Sequence, residues 1–293
     1  MPSNKTQEKE VEKVSSKRSF HTDKSATYWL PKDEDEQFRL AGQHFAIKDL
    51  FEGNMHPNIK EALDSEPNMT ILDVGCGSCT WIFDMASDYP QCDFHGCDIV
   101  DVANKEMIPN QFTFQLGNVA QRLPYKDSMF DFVYARLLAL ALSEDEWPRA
   151  IQEILRVTKP GGWIQLVDAD VKLPDKSTGA YYESVKAIHT LCKLRGQNPC
   201  IGMELERMLK ETGQVEIIDT DYRVCMMNSD TLMAKKFVWN WLEAAKSAVP
   251  TAAALMGLTN EEDQKKYMQE LKVSLMTKDC PYALNAVTAR KLI

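Results

Sequence analysis

A turn of small residues between two acidic side chains is the part of this chain best suited to chemistry. The apolar run Ile71 to Val74 leads into Gly75-Cys76-Gly77, and a second acidic side chain, Asp98, ends the next apolar stretch. Small residues let a ligand lie against the backbone, and an acidic side chain beyond a second strand is suited to the two hydroxyls of a ribose. The pattern predicts a site for an adenosine-containing cofactor.

The composition of the turn indicates which adenosine cofactor fits. A dinucleotide fingerprint needs three spaced glycines, and a phosphate-binding loop needs a lysine followed by Ser or Thr. The turn has neither pattern. Asp73 instead places a carboxylate beside the turn, where it would repel a pyrophosphate and attract a cation. S-adenosylmethionine carries an ammonium and a sulfonium and no phosphate, so we expect this cofactor.

The elements that must position these side chains alternate along the chain. Short apolar runs typical of buried strands alternate with segments of helical periodicity. Such alternation predicts an α/β fold with a doubly wound parallel sheet, which binds ligands at the carboxyl ends of its strands. The predicted strands are 70–74, 93–97, 113–116, 130–135, 163–167, 215–226 and 286–292, and the predicted helices are 34–50, 80–87, 144–157, 181–194, 204–212, 231–247 and 261–276.

Further motifs follow the glycine turn in a recognisable order. They are Gly117-Asn118-Val119, the strand-like run Phe130 to Arg136, and the run Leu155 to Trp163. In this order the chain resembles a class I S-adenosylmethionine-dependent methyltransferase. The resemblance implies a Rossmann-like seven-stranded sheet whose last strand is antiparallel, with an N-terminal helical lid and helical cap insertions. Where the family usually has a third glycine the chain has Cys79, which predicts slightly looser packing of helix on strand.

The same resemblance implies which core residues bind the cofactor. The amide of Asn118 would face the adenine amine, with apolar contact from Val119, and Arg136 would grip the methionine carboxylate. Arg136 has the alternatives of gripping an acidic substrate or forming a surface ion pair. The predicted core contacts are Asp73, Gly75, Cys76, Gly77, Asp98, Ile99, Asn118, Val119 and Arg136.

A narrower resemblance depends on the segment before the core. Trp81, the run Tyr28 to Leu40 with Gln43-His44, and the later Gly53-Asn54 are similar to the LaeA/UMTA-like branch common in fungi. This branch includes secondary-metabolite methyltransferases and proposed regulators. The segment is predicted to form a lid helix with few apolar anchors, which closes over the cofactor. Its predicted cofactor contacts are Tyr28, Arg39 and Gln43.

Methyl transfer from a sulfonium needs little help from catalytic side chains. The donor is already activated, so an enzyme mainly aligns the nucleophile, carbon and sulfur and excludes water. A hydroxyl or a protonated amine benefits from a base, whereas a thiolate or carboxylate needs none. His44 is the first candidate for a base, with a satisfied polar side chain as its alternative. Asp168 follows the fifth strand and would either orient an acceptor or cap the following loop.

The composition limits the classes of partner and the cellular compartment that we expect for this protein. Hydrophobic and charged contents of 44% and 26% are those of a folded globular protein. A net charge of −9 argues against a nucleic-acid surface, and the apolar runs are too short to span a membrane. The polar start, without the apolar core of a signal peptide, predicts a cytoplasmic protein, with the nucleus as alternative. The eight cysteines are expected to be free thiols, and a zinc or redox site at Cys76-x-x-Cys79 is the less favoured interpretation.

The chain divides into segments of different character. Residues 1–26 are predicted to be a disordered tail, 27–66 an N-terminal helical lid, 67–170 the S-adenosylmethionine-binding core, and 171–293 cap helices and the final edge strands. We expect a methyltransferase that acts on a small-molecule acceptor, such as a secondary metabolite, in a pocket shaped by the lid and the cap. The alternatives are a LaeA-like regulatory protein acting through protein partners and a protein methyltransferase.

Overall fold

Seven strands lie side by side in one sheet in the part of the chain that the structure, a computed structural model, describes: residues 33–100 and 111–292. The strands are β1 (Thr70–Val74), β2 (Asp93–Asp98), β3 (Phe112–Leu116), β4 (Phe130–Arg136), β5 (Thr158–Ala169), β6 (Val215–Met226) and β7 (Pro281–Lys291). The α-helices are α1 (Glu34–Leu50), α2 (Pro57–Ser65), α3 (Thr80–Asp88), α4 (Trp147–Val157), α5 (Ala180–Leu194), α6 (Leu205–Glu211), α7 (Leu232–Ala252) and α8 (Glu261–Thr277). Short 3₁₀ helices cover Lys176–Thr178 and Ile201–Met203.

The strand order determines where a ligand can bind. The sheet runs β3-β2-β1-β4-β5-β7-β6, so the chain reverses direction across the sheet between β1 and β4. The first five strands are parallel, and β7 is antiparallel to both β5 and β6. In such sheets the crevice at the carboxyl ends of the strands beside the reversal binds ligands. The predicted fold class is therefore confirmed, and the glycine turn after β1 lies at this crevice.

Burial on both faces explains how the sheet is held. Ile71 packs with Ile82 and Phe94 on one face, whereas the next residue, Leu72, packs with Val133 on the other. Alternation of side chains along a strand produces this division. Burying each such side chain contributes about 1.5–3 kcal/mol. A two-sided core of this kind fixes the ends of β1 and β4, and therefore the site.

Several element boundaries differ from the prediction. The prediction starts the last strand at residue 286, but β7 begins at Pro281. The proline and the polar Asn285 interrupt the apolar pattern, although Asn285 is buried between two neighbouring strands. Proline is tolerated at the first residue of a strand. Helix α2 is not predicted from the sequence, although Pro57 at its start and the His56 cap are typical of a helix beginning.

Helix α1 is anchored more firmly than the sequence predicts. Its amino end is capped by Asp33, whose side chain accepts the Glu36 N–H at 3.1 Å. Its carboxyl half buries Ala46, Ile47 and Leu50 in a cluster that includes residues of α7. The expectation of few apolar anchors is therefore wrong for this half, since Ala46 and Ile47 lie four and three residues before Leu50 and share its face of the helix. None of the described helices is long and apolar enough to cross a membrane.

Candidate functional site

The turn after β1 has the backbone geometry of a ligand-binding loop. Gly75 and Gly77 have φ values of 70° and 49°, and a Cβ at Gly75 would lie 2.6 Å from the Leu138 side chain. The Gly75 N–H donates to the Cys97 carbonyl at 2.7 Å, which ties the turn to β2. Cys79 has φ 57°, a left-handed conformation that costs a non-glycine residue about 1 kcal/mol. Cys79, at the position where the family usually has a third glycine, thus adopts a left-handed conformation that suits glycine better.

Asp98 connects the end of β2 to this turn. Its Oδ2 accepts the Gly77 N–H at 2.9 Å and its Oδ1 accepts the Val100 N–H at 3.1 Å. Burial raises the pKa of Asp98, and the backbone hydrogen bonds oppose that shift. A carboxylate offers about four lone-pair sites, so Asp98 keeps the capacity to accept a ligand hydroxyl beside the backbone N–H groups. This geometry suits a ribose held by its two hydroxyls.

Asp73 and Arg136 end the two strands beside the reversal of strand order. Asp73 pairs with Tyr134 across β1 and β4, so Arg136 lies two residues further along the neighbouring strand. Burial raises the pKa of Asp73 to about 7, although the positive charge of Arg136 lowers it. A bound ammonium would restore the ordinary acidity of this carboxyl group. The pair therefore offers one anion to an ammonium and one cation to a carboxylate, the two charges of an amino-acid moiety.

These groups surround a cleft of about 170 Å³. Ten of the residues predicted to bind the cofactor line it: Gln43, Asp73, Gly75, Cys76, Gly77, Asp98, Ile99, Asn118, Val119 and Arg136. Two wall residues on α1, Gln37 and Leu40, are not predicted from the sequence. Gln37 Oε1 is buried without a hydrogen-bond partner in the described part of the chain, which suits an acceptor for a ligand N–H or O–H. Its signal is the series Gln37, Leu40 and Gln43 at steps of three residues, which makes each a neighbour of the next on the helix surface.

His44 does not lie where a general base must lie. It is fully buried, its Nε2 is 2.9 Å from Asp84 Oδ2, and its Nδ1 is 3.4 Å from both terminal nitrogens of Arg136. Burial first, and then the charge of Arg136, lowers the pKa of His44 to about 4. With both ring nitrogens engaged and neither cavity wall including it, His44 holds Arg136 instead of accepting a substrate proton. The prediction that His44 acts as a general base is therefore corrected.

The network around His44 joins the segments on which the narrower resemblance depends. Asp84 also accepts the Lys48 Nζ at 2.6 Å and the Asn54 Nδ2 at 2.8 Å. The indole N–H of Trp81 donates to the Asn54 carbonyl at 3.0 Å. Burial of Asp84 opposes ionisation, yet these hydrogen bonds lower its pKa overall. Helix α1 is thereby fixed to α3 at the mouth of the cleft.

Arg39 faces away from the cofactor cleft. Its Nε and Nη2 donate to the carboxylate of Glu36 at 3.0 and 2.6 Å, and its Nη1 donates to Asn240 Oδ1 at 2.8 Å. The prediction that Arg39 contacts the cofactor is therefore corrected, since the turn of the helix directs it towards α7. Tyr28, the remaining predicted contact, lies outside the described residues.

A second cavity adjoins the first. It also has a volume of about 170 Å³ and is lined mainly by apolar side chains of α1, α5 and α7. Leu40, Gln43 and Leu137 belong to the walls of both cavities. The remaining walls include Ala187, Ile188, Leu191, Trp241, Ala244, Ala245, Ala248, Val249, Met256, Tyr267 and Tyr282. Their sequence signal is the recurrence of alanine on one face of α7, which leaves space where larger side chains would fill a core.

Asp168 lies on the wall of this second cavity and also braces its rim. Its Oδ2 accepts the N–H groups of Leu138 and Ala139 at 2.8 and 3.0 Å, and its Oδ1 accepts its neighbour Ala169 N–H at 2.8 Å. Burial raises its pKa to about 7 in spite of these bonds. Both alternatives predicted for Asp168 thus retain support, since it holds the loop after β4 and faces the cavity.

Comparison with known proteins agrees with this geometry. Residues 71–162 match the methyltransferase domain family. The chain is 32% identical to the secondary metabolism regulator laeA of Coprinopsis cinerea over 54% of this chain and 39% of that protein. It is 25% identical to the methyltransferase str2 of Strobilurus tenacellus over 85% of this chain and 90% of that protein.

A solved structure shows the same fold. An S-adenosylmethionine-dependent methyltransferase of Methanosarcina mazei is 20% identical, with a TM-score of 0.51 over 82% of this chain and 99% of that chain. Because the first relative is aligned over only two fifths of its length, the comparison concerns mainly the shared core. Residues 71–162 thus match a methyltransferase domain, and the fold, the motifs and these relatives agree with the resemblance of the chain to class I S-adenosylmethionine-dependent methyltransferases and to the LaeA-like fungal branch.

Proposed function

We propose that this protein transfers a methyl group from S-adenosylmethionine in the first cavity to a small molecule in the second. The observation that carries the proposal is the shared wall of Leu40, Gln43 and Leu137. In-line displacement needs the nucleophile and the leaving sulfur on opposite sides of one carbon. Two cavities of equal volume that meet at one wall provide this arrangement. Gln43 is the polar member of the wall, so its amide is placed to orient the nucleophile.

The walls of the second cavity indicate an uncharged and largely apolar acceptor. The guanidinium of Arg39 is engaged by Glu36 and Asn240, and the carboxylate of Asp168 is engaged by backbone N–H groups. A charged acceptor would lose its hydration without gaining a strong new partner here. An apolar body, in contrast, gains about 25 cal/mol for each Å² that it buries.

The described walls of this cavity include no histidine, and their one carboxyl group, Asp168, already accepts three backbone N–H groups, which favours an amine as the accepting group. An alcohol needs a base to become a good nucleophile, whereas a protonated amine becomes a nucleophile once it has lost a single proton. Transfer into an apolar site lowers the pKa of an amine, so it binds in the neutral form with its lone pair available. Because one relative is named as a regulator of secondary metabolism, we propose that the acceptor is a secondary metabolite.

A regulatory role through protein partners is the second candidate, because one relative carries the name of a regulator. Such a protein needs the cofactor cleft but has no use for an acceptor cavity. Methylation of a protein would need an open groove, whereas α1, α5 and α7 surround the second cavity. We place the protein in the cytoplasm, with the nucleus as the alternative that suits the regulator.

Calorimetry followed by a turnover assay tests the proposal. We expect S-adenosylmethionine and S-adenosylhomocysteine to bind and NAD and ATP not to bind. Formation of S-adenosylhomocysteine is then measured with tryptamine, tryptophol and indole-3-acetate, which share one apolar body and differ in the accepting group. Turnover of the amine supports the proposal. Cofactor binding without turnover across a wider panel of apolar amines would favour the regulator, and turnover of tryptophol would contradict the choice of an amine.

A further inference from the structure

Two thiols face each other inside the cofactor turn. The Sγ atoms of Cys76 and Cys79 are 3.3 Å apart, and the Cys79 N–H donates to the Cys76 carbonyl at 2.8 Å, closing a tight turn. A disulfide requires an S–S distance of about 2.05 Å. The sulfurs therefore need to approach by little more than an ångström, within a turn that already brings the two residues together.

The two thiols differ in their access to solvent. Cys76 lines the cofactor cleft, whereas Cys79 is fully buried behind it. Cys76 is itself largely buried, with 9% of its surface exposed, so a small oxidant that enters the cleft meets this thiol first at the cleft wall. Cys79 is placed to attack the oxidised sulfur, and a resolving thiol this close favours disulfide formation over further oxidation.

We propose that Cys76 and Cys79 form an oxidation site for hydrogen peroxide, and that the resulting disulfide blocks cofactor binding. The hydrogen bond with Cys79 and burial raise the pKa of the Cys76 thiol, so its proton leaves during the attack. The Cys76 sulfur bonds to one peroxide oxygen, the O–O bond breaks, and the departing hydroxide takes up this proton as water. Cys79 sulfur then attacks the sulfenic acid, the S–O bond breaks, and a second water leaves. The two thiols lose two electrons and two protons, and one peroxide becomes two waters.

The position of the pair explains the expected effect on the cofactor. Gly77 lies between the cysteines and donates its N–H to Asp98, while Cys76 Sγ rests against Gly96, 2.9 Å from where a Cβ would be. Drawing Cys76 towards Cys79 removes the thiol from this contact and displaces the backbone that covers the ligand. A cofactor bound in the cleft covers Cys76 and should therefore slow the oxidation of the pair.

Peroxide treatment of the full chain tests the proposal without an acceptor. We expect the peptide containing both cysteines to lose about 2 Da, and S-adenosylhomocysteine affinity in calorimetry to fall at least tenfold. Dithiothreitol should restore the affinity, and S-adenosylhomocysteine added before peroxide should slow the mass change. Each treated sample is compared with an untreated portion of the same preparation.

Two variants make the test specific. Cys79→Ser cannot form the disulfide and should keep its affinity after brief peroxide treatment followed by catalase. Cys200→Ser, which removes a partly exposed thiol elsewhere, should respond as the unchanged protein does. The proposal is overturned if the 2 Da loss does not occur, if it occurs without loss of affinity, or if Cys79→Ser loses affinity equally. Should Cys79→Ser not fold, peptide mapping and affinity of the unchanged protein decide between these outcomes.

Discussion

The two cavities of this molecule are similar in size and opposite in chemistry. The cofactor cleft presents Asp73, Asp98 and Arg136 at the ends of neighbouring strands, and its turn follows one contiguous motif. The second cavity is apolar, and its charged groups are already paired within the protein. A cleft that keeps charges for its ligand selects a charged molecule, and a cavity that neutralises its own charges selects an uncharged one. The difference separates donor recognition from acceptor recognition.

The largest expected effect concerns the cofactor cleft, whose charged side chains are available to the ligand. Asp98→Ala removes hydrogen bonds from a carboxylate to the ribose, each of which contributes roughly 1.5–3 kcal/mol. We therefore expect cofactor affinity in calorimetry to fall at least a hundredfold. Asp93→Ala, which removes a more exposed carboxylate from the same strand, serves as the control. Unchanged affinity in Asp98→Ala would remove this residue from the site.

Filling the second cavity should impair use of the acceptor without weakening cofactor binding. Ala187→Trp places a large side chain on its wall, so turnover should fall about a hundredfold through lost alignment while cofactor affinity stays within about twofold. Lys186→Trp, at the neighbouring exposed position of α5, is the matched control. Full turnover in Ala187→Trp would mean that the acceptor binds elsewhere.

The raised pKa of Asp73 predicts a pH dependence of cofactor binding. An ammonium ligand favours the carboxylate, and the free protein protonates this group below a pKa of about 7. Affinity should therefore fall as the pH is lowered from 7 to 5, by at most about tenfold per unit. Asp73→Asn should bind more weakly and lose this dependence. A wild-type affinity that stays constant over this range would contradict an ionised Asp73 beside the ammonium.

A smaller effect is expected from His44. Its folded-state pKa of about 4 lies below the ordinary value of 6.5, so the unfolded chain binds the proton more tightly. This contribution to stability is present above pH 6.5 and is lost as the pH falls towards 4. His44→Gln should flatten the dependence of the unfolding free energy on pH in this window, measured by denaturant titration. His56→Gln is the control, and equal slopes in His44→Gln and wild type would refute the burial of a neutral imidazole.

The cofactor cleft could be predicted from the sequence to a greater extent than the acceptor cavity. Asp73, Gly75, Gly77 and Asp98 lie near one another in the chain, and their types alone indicate the ligand. The walls of the second cavity come from α1, α5 and α7, whose alanines and leucines are equally typical of a core. Their function depends on packing between distant segments, which a local pattern does not contain.

His44 shows that the role of a polar residue is also hard to predict from a local sequence pattern. Its type permits a general base, and only the positions of Asp84 and Arg136 around it show that both ring nitrogens are engaged. Arg39 is the parallel case, since its partner Asn240 lies 201 residues away in sequence. Long-range partners therefore decide whether a polar side chain serves the ligand or the fold.

A crystal structure with S-adenosylhomocysteine tests the central claim most directly. We expect the adenosine between Asp98 and Asn118, with the sulfur in van der Waals contact, about 4 Å, with the shared wall of Leu40, Gln43 and Leu137. The position of the missing methyl should then open into the second cavity. A sulfur directed away from that wall, or a shared wall closed by the bound ligand, would contradict the account.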